Sequence, residues 1–186
     1  YKNFFKKKWP KLKCENVISF KMRHVDTNQI STENNKNKVL LLIPENIENE
    51  KYFLSIIKNI PDKFELFVKT HPMSSLKINQ FPSLDRGILI NNWSKQKIMN
   101  NTNKVLCGYT GFALELASMG LNIGLIYNPE RILFNPFDDT NINDVKLIGS
   151  PIQLNSFLNK ESRFIKKDFF NLDKKYLRKF ISILES

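Results

Sequence analysis

From Lys38 onward, short apolar runs alternate with amphipathic segments. The first run, VLLLI at 39–43, is aliphatic at every position, which is typical of a strand covered on both faces. The next segment, 48–60, has large apolar residues at helical spacing before Pro61 ends it. Further strands are predicted at 64–69, 87–91, 104–108, 122–127 and 145–149, and further helices after Ser94, at 111–119 and at 152–158. This order predicts an α/β fold, a Rossmann-like parallel sheet of about six strands with helices on both faces.

The same pattern divides the chain into three parts. Residues 38–160 form the predicted Rossmann-like domain. We interpret 1–37, with a basic segment broken at Pro10 and then a polar stretch without periodicity, as the end of a preceding domain plus a linker. Residues 161–186 contain an apolar helical stripe, and we expect helices that pack on the domain or on a missing partner domain. A first residue that is not Met favours a piece of a longer protein.

Composition supports a globular chain. Of 186 residues, 41% are hydrophobic and 25% are charged, which is typical of soluble domains. No apolar run approaches the roughly 20 residues that cross a bilayer, and the first residues lack the pattern of a signal peptide. Cys14 and Cys107 lie far apart without metal-ligand spacing, so we expect a reducing cytoplasm.

Charge points to anionic partners. The formal net charge is +11 and the sequence pI is about 9.6. Nucleic acid, an anionic membrane surface and phosphorylated small substrates all fit this charge, and so does compositional drift toward Asn, Lys and Ile. Aromatic residues interleave with the basic ends, a pattern that can stack bases but equally describes amphipathic helices. Nucleic acid is therefore not the favoured partner, and the inner face of a membrane stays open as a peripheral contact.

Three segments follow predicted strands with residues that are unusual there. In parallel sheets ligands bind at the carboxyl ends of the strands. The segments are Pro44-Glu45 after the first strand, Lys69-Thr70-His71-Pro72 after the second and Gly108-Tyr109-Thr110-Gly111 after the fourth.

The GYTG segment is the most informative of the three. It joins a buried strand to a helix and places a hydroxyl and backbone N–H groups at the helix start, a geometry that binds phosphate. The other interpretation is that Thr110 only caps the helix. The segment is neither a Walker loop nor a complete GxGxxG.

His71 is the candidate catalytic residue. Pro72 restricts His71 to extended conformations, and the ring is suited to donate to a phosphate beside the positive charge of Lys69. The alternative is a loop histidine that bonds only to backbone. We expect His71 and the Thr110 turn to meet at the same phosphate oxygens.

Two further features flank this region. Glu115 lies one helical turn beyond Gly111, where it either accepts hydrogen bonds from ribose hydroxyls or simply faces solvent near the helix start. The segment 128–139 forms either a lid on the ligand or a surface loop. No Ser/His/Asp or Cys/His arrangement and no metal-ligand cluster is visible, so no metal or other cofactor is expected.

Taken in order, the K-x-HP segment and GYTGFALELASMG at 108–120 resemble the C-terminal domain of GT-B transferases that use cytidine-activated donors. Bacterial sialyltransferases, Kdo transferases and CDP-glycerol glycerophosphotransferases are such families. The resemblance covers about 38–158. Gly111 departs from it, because those families often carry a second hydroxyl there.

The resemblance implies a nucleotide donor, most simply CMP- or CDP-linked, as substrate. It implies that His71 and Thr110 contact the donor phosphate and that Glu115 holds the ribose. It also implies a carbohydrate or lipid-linked acceptor, held by an N-terminal domain that supplies the base. The function expected is donor binding for a cytidine-activated sugar in bacterial surface polysaccharide synthesis. A CDP-glycerol-type polyol-phosphate transferase domain and a non-catalytic anion-binding module are the alternatives.

Overall fold

The computed structural model describes residues 37–44, 47–72, 84–131, 145–161 and 182, and these ranges form one α/β domain. Its strands are β1 (Lys38–Ile43), β2 (Glu65–Thr70), β3 (Gly87–Leu89), β4 (Lys104–Cys107), β5 (Asn122–Ile126) and β6 (Lys146–Ile148). Its helices are α1 (Ile47–Ile57), α2 (Lys95–Asn101), α3 (Gly111–Ser118) and α4 (Pro151–Asn159). The predicted terminal segments, 1–37 and 161–186, lie outside the described residues except for 37, 161 and 182.

All strand pairs are parallel, in the order β3-β2-β1-β4-β5-β6. This is the order of the Rossmann fold, in which the chain first builds the sheet outward on one side and then on the other. The Rossmann-like prediction is confirmed, including the number of strands.

Two apolar cores lie on opposite faces of the sheet because successive strand side chains alternate in direction. On β1, Val39 and Leu41 join the core formed with α1 and α4, whereas Leu40 and Leu42 join the core formed with α2 and α3. These four side chains are at most 4% exposed. The unbroken aliphatic run is therefore explained by burial from both sides.

The predicted boundaries shift by a few residues at two elements. Helix α1 ends at Ile57 rather than Ile60, because the amides of Asn59 and Ile60 bond to carbonyls three residues back and tighten the chain toward Pro61. Strand β3 ends at Leu89 rather than residue 91. Beyond it, the Asn91 side chain takes over the bonds to Thr70 that a longer strand would make with its backbone.

Gly120 ends α3, as predicted. Its φ of 97° is the left-handed conformation that glycine adopts without steric cost, and the amide of Leu121 bonds back to the Leu116 carbonyl. This turn sends the chain directly into β5. No described helix is long and apolar enough to cross a membrane.

A substitution at Gly124 tests how closely β5 packs against its neighbouring strands. A Cβ there would lie 2.6 Å from Ile148 Cδ1 and 2.8 Å from Leu106 Cδ2. We expect Gly124→Ala to lower the free energy of unfolding by about 1–3 kcal/mol through overpacking, measured by urea denaturation. Gly111→Ala is the control, because a Cβ at Gly111 has no heavy atom within 4 Å. Equal stability of Gly124→Ala and the unchanged chain would contradict this packing.

Candidate functional site

The strand order reverses between β1 and β4. This reversal determines where a ligand can bind at the carboxyl edge of the sheet. The loop after β1 leads to one face and the loop after β4 to the other, so a crevice forms beyond their carboxyl ends. Pro44 follows β1 and Gly108 follows β4 at this point. Two of the three segments singled out in the sequence therefore meet at the switch point.

Pro44 and Gly108 form the floor of the crevice. Both are buried, and a Cβ on Gly108 would lie only 3.1 Å from Pro44 Cβ. A glycine thus lets the two loops touch. Tyr109, in contrast, is 54% exposed and stands on the rim. Glu45 lies outside the described residues.

The start of α3 forms one wall. Thr110 is the N-cap, and its Oγ1 accepts a hydrogen bond from the Phe112 amide at 3.3 Å. The capping interpretation of Thr110 is thus seen in the structure. It does not exclude phosphate binding, because the hydroxyl still has a proton to donate while it accepts. Gly111 is exposed and has open space where a Cβ would stand, so a ligand can approach the backbone closely.

The end of β2 forms the opposite wall and is held by Asn91. The Asn91 side chain accepts from the Thr70 amide at 3.0 Å and donates to Thr70 Oγ1 at 2.9 Å. Its backbone carbonyl accepts from Lys69 Nζ at 2.8 Å. One residue after β3 therefore orders both polar residues that close β2.

Lys69 links the two walls. Its Nζ lies 5.8 Å from the centre of the Phe112 ring, in the first turn of α3. Burial lowers the pKa of Lys69, because a partly desolvated ammonium loses hydration. An anion beside the Lys69 ammonium would offset this loss of hydration. The positive charge that the sequence predicted for Lys69 thus lies next to the start of α3.

His71 and Pro72 follow β2, on the same edge as the α3 start. Ile43 is in register with Thr70, so His71 stands level with Pro44. Because β1 separates β2 from β4, their ends lie two strand spacings apart, about 10 Å. His71 is half-buried and Pro72 exposed. The contact of His71 with a phosphate at Thr110 stays a prediction.

The interpretation that Glu115 faces solvent is wrong, because its side chain is almost fully buried. Its side chain is 5% exposed, and Oε2 lies 2.5 Å from Lys95 Nζ at the start of α2. This contact is an ion pair. Binding of ribose by Glu115 would require this pair to rearrange, and that role stays a prediction.

The far half of the edge, beyond β5 and β6, is closed by aromatic side chains. A Cβ on Gly149 would lie 3.0 Å from the Tyr127 ring, and Tyr52 donates from its hydroxyl to the Gly149 carbonyl at 2.8 Å. Burial is the main cause that raises the pKa of Tyr52, so the phenol keeps the proton it donates.

The proposed lid is described only at its beginning. Asn128 accepts in its side chain from the Glu130 amide and in its backbone from the Arg131 amide, which makes a tight exposed turn. Residues 132–139 lie outside the described residues. Within the described ranges, no three His, Cys, Asp or Glu side chains gather as a metal site would require.

Sequence reasoning missed Lys95, Asn91 and Phe112. Lys95 and Phe112 each open a helix at the carboxyl edge, and Asn91 follows the neighbouring strand. Their positions at or just after the ends of predicted strands were a usable signal. Their partners were not, because Glu115 and Lys69 come from other parts of the chain.

Gly111→Val tests whether a ligand uses the open space at the start of α3. Valine is no worse than glycine in a helix, so we expect the thermal unfolding midpoint to change little. The added methyl groups occupy the space beside the Gly111 backbone, and we expect nucleotide affinity to fall at least about tenfold, or 1.4 kcal/mol. Calorimetric titration measures it. Gly111→Ala is the milder matched variant, and unchanged affinity in both would place the ligand elsewhere.

No protein-family model and no curated protein sequence matches this chain. Among solved structures, one similar chain is the E. coli heptosyltransferase WaaC with ADP-2-deoxy-2-fluoro heptose. The two share 12% identity with a TM-score of 0.44, and the match covers 98% of this chain and 54% of that one. This chain therefore spans about half the length of that enzyme.

Proposed function

We propose that this chain is the nucleotide-donor-binding domain of a GT-B glycosyltransferase. The donor would be a cytidine-activated acidic sugar, and the product a bacterial surface polysaccharide or lipooligosaccharide. Two features support the proposal. One is a crevice suited to phosphate where the strand order reverses, and the other is the order of the His71-Pro72 and GYTG motifs along the chain. The crevice supports an anionic ligand, and the choice of cytidine rests on the sequence resemblance.

The observation that carries the proposal is the wall around the start of α3. It combines an exposed glycine, a hydroxyl that can donate while it accepts, and a lysine ammonium beside the first turn. The N-terminus of a helix favours an anion because its amides and its dipole point outward. A phosphate seated at Gly111 would meet all three groups.

The mechanism proposed is direct displacement, with the nucleotide as leaving group. The acceptor hydroxyl attacks the anomeric carbon and the bond from that carbon to the nucleotide phosphate breaks. Negative charge grows on the departing phosphate, where Lys69, His71 and the start of α3 would stabilise it. A base on an N-terminal domain would take the acceptor proton. The chemistry needs no metal or other cofactor, and cytoplasmic donors would supply the nucleotide.

The two alternative functions differ in the ligand that the domain would bind. A polyol-phosphate transferase domain would bind CDP in preference to CMP, with the same crevice holding a diphosphate. A non-catalytic module would bind the anion with little preference among bases. In either case the acceptor would be held by an N-terminal domain, and a membrane contact stays a prediction.

Titration calorimetry of the chain with CMP, CDP, UDP and ADP tests the proposal. We expect CMP to bind most tightly, and loss of at least about tenfold in affinity, 1.4 kcal/mol, for His71→Ala and Thr110→Ala. Preference for CDP would favour the polyol-phosphate alternative, and equal binding of all four the non-catalytic module.

Thr110→Ser is the matched control, since it keeps both the cap and the hydroxyl. Thr110→Ala also removes the cap, which costs about 1 kcal/mol of stability, so its affinity is measured well below its unfolding midpoint. Absence of binding by the unchanged chain, or full affinity in both alanine variants, would overturn the donor site.

A further inference from the structure

The ion pair between Lys95 and Glu115 joins the first residue of α2 to the second turn of α3. Lys95 is the first residue of α2, which follows β3, and Glu115 lies in α3, which follows β4. Both helices cover the same face of the sheet. The pair therefore joins the helices that follow β3 and β4, although its members are 20 positions apart in sequence.

The two members differ sharply in exposure. The Glu115 side chain is 5% exposed and the Lys95 side chain 40%. A buried carboxylate is costly unless a cation compensates it. Of the two side chains only that of Lys95 is substantially exposed, so the carboxylate is suited to hold the ammonium and the ammonium to touch a ligand.

The general direction of helix side chains would bring this ammonium toward the start of α3. Side chains on a helix tilt toward its N-terminus. Glu115 is one turn beyond Gly111, so its carboxylate is directed back along the helix toward the first turn. The Lys95 ammonium, 2.5 Å from Oε2, is held on that side of α3.

We propose that Lys95 is a further phosphate-binding residue of the donor site and that Glu115 is its positioning residue. The inference rests on the proposed function. A phosphate would approach the exposed side of the ammonium, with the carboxylate behind it. Lys69, held by the Asn91 carbonyl, would flank the same turn from the β2 side.

The test compares affinities for CDP, CMP and cytidine in Lys95→Met, Lys95→Arg and the control Lys97→Met. Lys97 lies on the same helix, with its Nζ 4.6 Å from the Trp93 ring centre. We expect Lys95→Met to lower the affinity for CDP and for CMP at least about fivefold. We also expect it to reduce the dependence of this affinity on salt concentration. Cytidine binding should not change. Lys95→Arg should restore most of the affinity, and Lys97→Met should have no effect.

Glu115→Gln separates positioning from direct contact with ribose. If Glu115 only holds Lys95, the variant lowers the affinity for CMP and the affinity for 2′,3′-dideoxy-CMP by the same factor. Loss confined to CMP, with Lys95→Met harmless, would overturn the inference and leave the donor site in place. An equal loss of affinity for the nucleotides and for cytidine in Lys95→Met would also overturn the inference. That result would show that Lys95 stabilises the structure and does not contact the phosphate. Absence of nucleotide binding by the unchanged chain would overturn both proposals.

Discussion

The burial of β1 between two parallel neighbours is the constraint on which the rest of the structure depends. β1 pairs with β2 on one side and β4 on the other, and its side chains enter both cores. A strand in that position cannot shift register without moving apolar groups to the wrong face. Consequently the ends of β1 and β4 are fixed against each other, and Gly108 rests on Pro44. The switch point is thus a product of core packing.

Protein partners hold several polar groups at the carboxyl ends of the strands and at the helix starts that follow them. Asn91 binds the carboxyl end of β2, the Thr110 hydroxyl caps α3 and Glu115 holds Lys95. Groups already held by protein partners lose little freedom when they bind, so more of their interaction energy contributes to affinity. For the proposed transferase the same ordering matters in the reaction, because fixed donors stabilise charge on a leaving phosphate without reorganising.

Much of the fold was predictable from the sequence, because it depends on local pattern. The run at 39–43, the helix before Pro61 and the turn at Gly120 each carry their own signal. The position of the GYTG segment at the sheet edge followed from the alternation of strands and helices. Contacts between distant segments carried no such signal. The sequence placed Glu115 on the same helix face as Gly111, but only the structure reveals the ion pair with Lys95.

The most direct measurement is the change in backbone amide chemical shifts when the ¹⁵N-labelled chain is titrated with CMP and, separately, with cytidine. If a phosphate sits at the start of α3, the largest changes occur at Gly111 and Phe112, and they appear with CMP but not with cytidine. Changes centred on Tyr127 and Gly149, or identical changes with both compounds, would contradict the central claim.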